Sequence, residues 1–581
     1  MSNKRKLYLG INLQNDPSVA IVEDGKVIAF SEEERHIRIK HAPNCYPIQA
    51  LKSCLEIANC QFEDITKLAV NWNLKAYNDG TMKSFYYKLR EKYNVDEFTK
   101  NWQENNLKKR SWENFKNFHK KQLTKYFGNI DLPEIVDYPH HYIHAYQSFI
   151  ESGFEEAISI SIDGSGDQNC TTIWYCKEDN INCIKEINMP NSLGWLYSAF
   201  TEYLGFEAYD GEYKVMGLAA YGEENQKIKS KLEKICSISS DGIGYEIDPK
   251  YIHYGKHTFS NRFTDNLIKL LGKNPRKPNE KIENWHKDLA FEVQTLLENT
   301  ILRLIKWAIK ETGLNKICIG GGVGLNVKLN SMIFKLKEVS DVFAHPLCSD
   351  TGAAAGAALT ACYKENGIRP LKLKTLALGF EEKDEDIENL LNITKVKYTK
   401  SNNVAEEVSD YLSEGLIVGW FQGRMEAGPR ALGQRSILAN PTKEIYRDKV
   451  NLIVKFREDW RPFCPSMLEE YCSEYFKDTT YAPFMIIAFE AKNKLKEDAP
   501  AIVHIDGTSR VQIVYKEINP KYHALIDSFR KKTGVPILLN TSFNVKGEPI
   551  VCTAKDSLRT FWSTALDVLV LDDFIIKKPR L

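Results

Sequence analysis

The chain has 581 residues, a hydrophobic fraction of 43%, a charged fraction of 27% and a formal net charge of +1 at pH 7. This length predicts two or more domains, and the composition is that of an ordinary globular protein. The balanced charge argues against a broad nucleic-acid-binding surface, and no apolar run reaches the ~18 residues that a membrane-spanning helix needs.

The cysteines and the N-terminus indicate a cellular compartment. The thirteen cysteines are scattered and form no C-x-x-C pair, so neither a disulfide framework nor a cysteine zinc site is expected. The apolar run that follows the basic N-terminus is too short for a signal peptide. We therefore expect a cytoplasmic protein with reduced cysteines.

The chain opens with a pattern of strands and tight turns. Apolar runs at 7–12 and 18–22 predict two strands, and Asp24-Gly25 predicts a hairpin turn before a third strand at 26–31. This opening resembles the actin-like ATPase fold, in which two subdomains that begin with such hairpins flank a nucleotide.

Two further segments lie before the first histidine-rich motif. Glu32-Glu33-Glu34-Arg35, followed by Arg38, Lys40 and His41, is a dense charged segment, and we expect a solvated surface there. Residues 85–127 are rich in Lys, Glu, Asn and aromatic residues, which predicts amphipathic helices. We interpret them as an insertion that could shape a substrate pocket.

Three of the twelve histidines lie within five residues, at 140, 141 and 144. On a helix, His140 and His144 would share one face with their Cβ atoms roughly 5–6 Å apart, so both imidazoles could bind one metal ion. The alternative is a polar helix face with one core histidine. The residues between them include no glutamate, so the chemistry of zinc proteases is not supported.

Two aspartates supply the missing carboxylates for such a site. Asp163 follows an apolar strand at 157–162 and precedes glycines, and Asp350 begins a helix of small residues. The alternative for Asp163 is a turn or capping aspartate. Two imidazoles and two carboxylates suit iron, zinc or manganese.

Glycine-rich and small-residue segments indicate a bound nucleotide. A strand at 316–319 leads into Gly320-Gly-Gly-Val-Gly-Leu-Asn326, and glycines after a strand let the backbone approach a phosphate or ribose. The segment 211–219 mixes charged and small residues, as expected where a helix packs close to a ligand.

A domain boundary is expected near 365–378, and the motifs beyond it are basic. Arginine and lysine recur beside Gly, Ser, Asn and Pro in the segments around 424–436, 455–466, 506–510 and 539–549. Guanidinium groups bind phosphoryl oxygens bidentately, so this pattern predicts a site for several phosphoryl groups. The alternative is a set of surface salt bridges.

Together the motifs resemble one family, the ATP-dependent O-carbamoyltransferases, which includes nodulation-factor, cephamycin and aminoglycoside carbamoyltransferases. The resemblance runs nearly end to end. The motifs that carry it are Glu32-Glu-Glu-Arg, His140-His-x-x-His144-Ala, Asp163-Gly, Lys214-x-Met-Gly-Leu-Ala, Gly321-Gly-Val-Gly-Leu-Asn, Gly428-Pro-Arg-Ala-Leu-Gly, Arg461-Pro-Phe and Asn540-Thr-Ser-Phe-Asn.

The resemblance implies an α/β protein with two domains. Residues 1–372, with the insertion at 85–127, would form an actin-like (ASKHA) domain similar to the tRNA threonylcarbamoyl transferase, and 373–581 a YrdC-like α/β domain. In the family, the YrdC-like domain hydrolyses carbamoyl phosphate, and the carbamate attacks the α-phosphate of ATP, releasing pyrophosphate. The carbamoyladenylate passes to the first domain, where an acceptor hydroxyl attacks the carbamoyl carbon and AMP leaves.

The resemblance also implies the site residues, carried over by position. The metal ligands would be His140, His144, Asp163 and Asp350, with both histidines also taking part in the transfer step. The residues for carbamoyl phosphate and ATP would be Arg430, Lys455, Arg461, Arg510, Asn540 and Ser542. The adenylate-binding residues of the first domain would be Lys214, Gly321, Gly322 and Asn326.

The implied cofactors are a divalent metal and Mg²⁺ bound to ATP. Iron is favoured as the metal, and zinc or manganese are the alternatives. The expected partners are carbamoyl phosphate, ATP and a hydroxylated small-molecule acceptor, without nucleic acid or membrane, and the candidate assembly is a homodimer.

One position departs from the family pattern. Several members have His-Asp-Ala-Ser after the first strand, where this chain has Asn15-Asp16-Pro17-Ser18. Asn15 cannot act as a general base at neutral pH. Asp16 or a group on the acceptor could replace that histidine, or proton removal could matter less here.

Two other functions stay open at this point. One is a tRNA-modifying enzyme that transfers a threonylcarbamoyl group, and the other is a catalytically idle, actin-like nucleotide-binding scaffold. The net charge of +1 and the presence of both domains in one chain argue against the first. The basic motifs of the second domain argue against the scaffold.

Overall fold

The computed structural model describes residues 5–93, 95–254, 260–452, 460 and 463–579. They form a mixed α/β structure, which confirms the predicted class. Among these residues, every helix is too short or too polar to cross a membrane.

The strands and helices before residue 373 are as follows. The strands are β1 (Leu7–Asn12), β2 (Ser18–Glu23), β3 (Lys26–Glu32), β4 (Ile65–Val70), β5 (Glu134–Asp137), β6 (Glu156–Gly166), β7 (Asn169–Lys177), β8 (Asn180–Asn188), β9 (Cys236–Ile238), β10 (Tyr245–Ile247), β11 (Lys316–Gly320) and β12 (Asp341–Ala344). The helices are α1 (Glu33–Ile37), α2 (Ile48–Ile57), α3 (Leu74–Asn78), α4 (Thr81–Lys92), α5 (Glu97–Lys109), α6 (Trp112–Phe127), α7 (His140–Ile150), α8 (Leu193–Tyr203), α9 (Glu212–Leu218), α10 (Gln226–Leu232), α11 (Asp265–Leu271), α12 (Asn284–Thr312), α13 (Val327–Phe334) and α14 (Asp350–Asn366).

The remaining elements follow residue 373, apart from three of the short 3₁₀ helices. The strands are β13 (Thr399–Lys400), β14 (Val418–Phe421), β15 (Arg435–Ala439), β16 (Cys464–Leu468), β17 (Phe489–Glu490), β18 (Thr508–Ser509), β19 (Gln512–Val514), β20 (Ile537–Ser542), β21 (Val568–Leu571) and β22 (Phe574–Lys577). The helices are α15 (Asp384–Ile393), α16 (Val404–Ser413), α17 (Glu444–Val450), α18 (Cys472–Tyr475), α19 (Asn493–Asp498), α20 (Pro520–Thr533) and α21 (Ala554–Ser563). The short 3₁₀ helices are Phe62–Asp64, Ala219–Tyr221, Gly322–Leu325, Glu469–Tyr471 and Pro500–Ile502.

Two five-stranded sheets share one strand order. The first runs β3-β2-β1-β4-β5, and the second, read in the same direction, runs β8-β7-β6-β11-β12. In both, the central strand pairs in parallel with the fourth strand of the repeat, β1 with β4 and β6 with β11. The fourth and fifth strands are also parallel in both. This repeated order is the architecture that the actin-like resemblance predicts.

One compact unit contains the described residues up to Asn12, Val22–Lys26 and Gln61–Lys372. Its core brings α14 against β1 so closely that a Cβ atom on Gly10 would lie 1.8 Å from the carbonyl oxygen of Ala354. The small residues of α14 therefore let the helix seat on the strand, which fixes the position of its first turn. The helices predicted within 85–127 are confirmed as α4, α5 and α6.

The other compact unit contains Leu13–Ile21, Val27–Cys60 and the described residues from Leu373 onward. Its eight-stranded mixed sheet has the order β13-β22-β21-β14-β15-β20-β16-β19. The strands β14 and β21 pair in parallel and are buried along their whole length, as their unbroken apolar sequences require. The functional division at residue 372 stays a prediction.

The charged segment after β3 is not the solvated surface that we expected. Glu32, Glu33 and Arg35 are only 5%, 2% and 3% exposed. Nε of Arg35 lies 3.2 Å from a carboxylate oxygen of Glu32, and Glu33 accepts a hydrogen bond from the N–H of Ala50 in α2. Charged groups are buried only when they are paired and hydrogen-bonded, and these contacts meet that condition.

Candidate functional site

Helix α7 presents two imidazoles on one face, as predicted. The Nε2 atoms of His140 and His144 lie 3.0 Å apart, and both side chains are almost completely buried. Two imidazole lone pairs repel at this distance unless a proton or a cation lies between them. The two nitrogens can therefore share one proton or one metal cation.

Asp163 and Asp350 complete the cluster from two other elements. Asp163 lies near the end of β6, and its Oδ2 is 3.3 Å from Nε2 of His144. Asp350 begins α14, and its Oδ1 is 3.2 Å from Nε2 of His140. One nitrogen or oxygen from each of the four side chains lies within 4.8 Å of all the others.

The four groups set each other's protonation. Burial by itself would lower the pKa of His140, but its contacts with Asp163 and Asp350 raise that pKa well above the usual value. Burial by itself would raise the pKa of Asp163, but His140 and His144 lower it well below the usual range. Both carboxylates are thus held ionised, which is the state in which a carboxylate binds a metal.

The donor set fits a divalent cation. Oδ2 of Asp163 is buried and has no aligned hydrogen bond among the described residues, so it keeps lone pairs directed into the cluster. Two imidazole nitrogens and two carboxylate oxygens are ligands that iron, manganese and zinc all accept. Such an ion would supply a Lewis acid that polarises an oxygen atom of a bound substrate.

Residues around the cluster orient His140. Its Nδ1 is 3.1 Å from the carbonyl oxygen of Asn71, so Nδ1–H donates there and Nε2 is left to bind a cation. The backbone N–H of His140 donates to Asp167, at 3.0 Å. A Cβ atom on Gly166 would lie 2.1 Å from Cδ2 of His140, so only glycine fits there. Sequence reasoning missed Asn71 and the orienting role of Asp167 and Gly166.

His141 lies outside the cluster, because it is not one helical turn from either of the two cluster histidines. Its Nδ1 is 3.1 Å from Oγ1 of Thr172, and its side chain is buried. Burial and the charge on His140 lower the pKa of His141 to about 3, so the ring is neutral. It contributes to packing beneath α7.

The predicted adenylate loop lies beside the cluster. A Cβ atom on Gly322 would be 3.3 Å from Oδ1 of Asp163, and Gly321 has a φ of +80° with the backbone of Ile162 directly behind it. Asn326, predicted to bind the adenylate, caps α13, and its amide pairs with that of Gln294 at 2.9 and 3.0 Å. In this arrangement Asn326 fixes the loop.

Lys214 lies on α9, and its ammonium nitrogen is 5.5 Å from the ring centre of Phe206. The structure therefore places this lysine on the same short helix that the sequence interpretation put close to a ligand.

The predicted anion site in the other unit gathers around β16 and β20. Asn540 donates from Nδ2 to the carbonyl oxygen of Ala431 at 3.1 Å and so contacts the residue after Arg430. Nε and Nη2 of Arg510 lie 2.9 and 2.7 Å from the sulfur of Cys464, which pairs directly with Asn540 across the sheet.

The other members of that set are less central. The hydroxyl of Ser542 donates to the side chain of Asn544 at 2.7 Å. Lys455 and Arg461 lie outside the described residues. Cys464 was not predicted, because a lone cysteine in a basic motif gives no signal of its own.

Asp16 lies in the same unit as the anion site and has a partner that the sequence did not indicate. Its Oδ1 is 2.7 Å from Nδ1 of His41, and both residues have positive φ values, +56° and +62°. Single ligand atoms of Asp16, Glu34 and His41 lie within 4.8 Å of one another. Strained non-glycine residues of this kind occur where a structure over-determines a local geometry.

Two family models match the chain. The one described as the carbamoyltransferase N-terminus matches residues 7–359, and the one described as the carbamoyltransferase C-terminus matches residues 409–578. Nodulation protein NolNO of Sinorhizobium fredii (strain NBRC 101917 / NGR234) is 33% identical over 588 residues, which cover 99% of this chain and 81% of that protein. An uncharacterized protein of Synechocystis is 33% identical, and the match covers 98% of this chain and 96% of that protein.

A solved structure of full-length HypF in the phosphate- and nucleotide-bound form is also similar. It is 16% identical, with a TM-score of 0.33, and the match covers 63% of this chain and 56% of that one.

Proposed function

The chain belongs to the carbamoyltransferase family, and we propose that it makes carbamoyladenylate from carbamoyl phosphate and ATP and transfers the carbamoyl group to a hydroxyl of a small-molecule natural product. One observation carries the proposal. Two chemically different polar sites occur, a four-ligand cluster in one compact unit and an arginine-containing site in the other.

The arginine-containing site suits the activation step. Carbamoyl phosphate is hydrolysed to carbamate and phosphate, and a carbamate oxygen attacks the α-phosphorus of ATP, so that pyrophosphate leaves. Both substrates are anions, and Arg430 and Arg510 would offset their repulsion and the charge that develops at phosphorus. Asn540 would fix the backbone that carries Arg430, because its amide bonds to Ala431.

The four-ligand cluster suits the transfer step. The acceptor hydroxyl attacks the carbamoyl carbon, loses its proton and displaces AMP. A cation held by His140, His144, Asp163 and Asp350 would polarise the carbonyl oxygen or the leaving phosphate. The Gly321–Gly322 backbone next to Asp163 would hold the adenylate, since glycines there let a phosphate approach.

The tRNA-modifying alternative has no observation in its favour. A protein that binds the phosphate backbone of RNA normally carries a basic surface, and the net charge of this chain is +1. The small-molecule acceptor is therefore the proposal that we test.

The test is a pyrophosphate-release assay with the purified chain, ATP and carbamoyl phosphate, supplied together and singly. Release that requires both substrates supports the activation step, and carbamoylated product with AMP, detected by mass spectrometry over a panel of hydroxylated metabolites, supports the transfer. If neither carbamoyl-phosphate-dependent pyrophosphate nor AMP forms with any acceptor, the proposal is wrong.

A further inference from the structure

We infer that the buried ion pair between Glu32 and Arg35, far from the C-terminal motifs in sequence, is a positioning element of the activation site that fixes the loop carrying Arg430. This inference rests on the function proposed above. It assigns a role to the charged segment after β3, which neither the sequence interpretation nor the proposed chemistry explained.

The ion pair holds both backbone polar groups of Gly428. The N–H of Gly428 donates to Oε1 of Glu32 at 3.1 Å, and Nη2 of Arg35 donates to the carbonyl oxygen of Gly428 at 2.7 Å. Nε of Arg35 also donates to Oε2 of Glu32, at 3.2 Å. The ion pair thus binds both the backbone N–H and the carbonyl oxygen of Gly428.

The rest of the loop is fixed by other buried side chains. Oε1 of Glu426 accepts from the N–H groups of Leu432 and Arg435, at 2.9 and 3.1 Å. Nε2 of Gln512 donates to the carbonyl oxygen of Leu432, at 2.8 Å. Asn540 holds Ala431 in the same way, at 3.1 Å. These contacts fix the loop on the C-terminal side of Arg430. On its N-terminal side the Glu32–Arg35 pair holds Gly428, next to Ala427, whose N–H donates to the carbonyl oxygen of Leu376 at 2.7 Å.

Arg430 is the charged side chain of this loop that solvent and ligands can reach. Between residues 425 and 440, Pro429 is exposed, Arg430 is half-buried and every other residue is buried. Gly428 has a φ of +85°, a backbone conformation that this anchor must maintain. A guanidinium fork binds a phosphoryl group bidentately only when its position is held within about 0.5 Å. Looser anchoring at Gly428 would therefore weaken anion binding at Arg430.

Arg38, the residue that follows α1, also contacts the loop after β20. Nη1 and Nη2 of Arg38 donate to the carbonyl oxygens of Ile550 and Pro549, at 2.6 and 2.8 Å. These residues follow β20, which carries Asn540 and Ser542. The charged segment therefore contacts both loops in which the sequence places anion-binding residues.

The experiment measures the KM for carbamoyl phosphate and the kcat in the pyrophosphate-release assay, using the full chain. Glu32→Gln and Arg35→Lys keep the size and polarity of each side chain but weaken the pair. Gly428→Ala disturbs the same position from the loop itself. Arg530→Lys is the matched control, because Arg530 lies on α20 and pairs with Asp527 of the same helix, at 2.9 Å.

We expect Glu32→Gln, Arg35→Lys and Gly428→Ala to raise the KM for carbamoyl phosphate at least tenfold, with kcat changed less than threefold, because ground-state binding is what is lost. Arg530→Lys should keep both values. Wild-type KM in the two pair variants, or a fall in kcat alone, would overturn the inference while leaving the proposed function intact. If the pair variants do not fold, Gly428→Ala decides by the same criterion. A wild-type chain that forms no pyrophosphate would overturn both proposals.

Discussion

The substitution Gly166→Ala should destroy metal binding while the fold survives. A Cβ atom at this position would lie 2.1 Å from Cδ2 and 2.5 Å from Cγ of His140. Non-bonded carbon atoms need about 3.5 Å, so the imidazole must move by roughly 1.4 Å or the strand must bend by as much. Metal–ligand distances tolerate only about 0.2 Å, so His140 can no longer bind an ion that the other three ligands hold.

The affinity for the metal should fall on the order of 100-fold or more. Removing a residue that only hydrogen-bonds to a metal ligand costs about 10–100-fold, and displacing the ligand itself should cost at least as much. Overpacking costs about 1–3 kcal/mol, which a domain with 5–15 kcal/mol of stability survives. The assay is the Kd for Zn²⁺, used as a probe ion in competition with a chelator of known affinity, together with the melting temperature.

Gly313→Ala is the matched control. Gly313 ends α12 with a φ of +73°, and a Cβ atom there would meet no atom within 4 Å. It should cost about 1 kcal/mol of stability through backbone strain and leave Zn²⁺ affinity unchanged. A Gly166→Ala protein that binds Zn²⁺ within threefold of the wild-type Kd would refute the reasoning about the cluster.

Three further outcomes follow from the structure. Arg510→Ala should reduce carbamoyl-phosphate-dependent pyrophosphate release at least 100-fold, whereas Arg447→Ala, on the surface of the same unit, should leave it unchanged; equal rates in the two variants would contradict the assignment. His144→Ala should keep pyrophosphate release and abolish carbamoylated product, and the opposite pattern would reverse the roles of the two sites. Burial lowers the pKa of His119 from 6.5 to about 4. As the pH falls from 6.5 to 4, the unfolded chain therefore binds a proton at His119 that the folded chain does not, and the free energy of unfolding decreases. Between pH 8 and pH 5 this decrease amounts to about 2 kcal/mol. His119→Phe should abolish it in urea titrations at the two pH values, and a variant with the pH dependence of the wild type would contradict the assignment.

Local features of the chain were predictable because they depend on neighbours in sequence. The spacing of His140 and His144 fixed their common helix face, and the apolar run before Asp163 fixed its place at the end of β6. The small residues after Asp350 indicated a helix that packs tightly, and α14 does so against Gly10. The role of each residue in one joint site came from the family resemblance, since no spacing in sequence links residue 144 to residue 350.

Other features were not predictable, because they depend on a partner that folding brings from afar. The sequence does not indicate that the amide of Asn326 pairs with that of Gln294. The sequence around Asp16 does not indicate His41 as its partner, because both residues take a left-handed backbone conformation that no side-chain pattern announces.

The sequence by itself indicated the α/β class and the shared helix face of His140 and His144, because periodicity and spacing are local properties. Only the tertiary structure decided what the charged segment does. The sequence pattern of Glu32 and Arg35 is typical of a solvated surface, but the two are buried because they pair with each other and because Gly428, almost 400 positions away, offers each of them a hydrogen bond. A buried charge needs such a partner, and the chain supplies it only once it has folded.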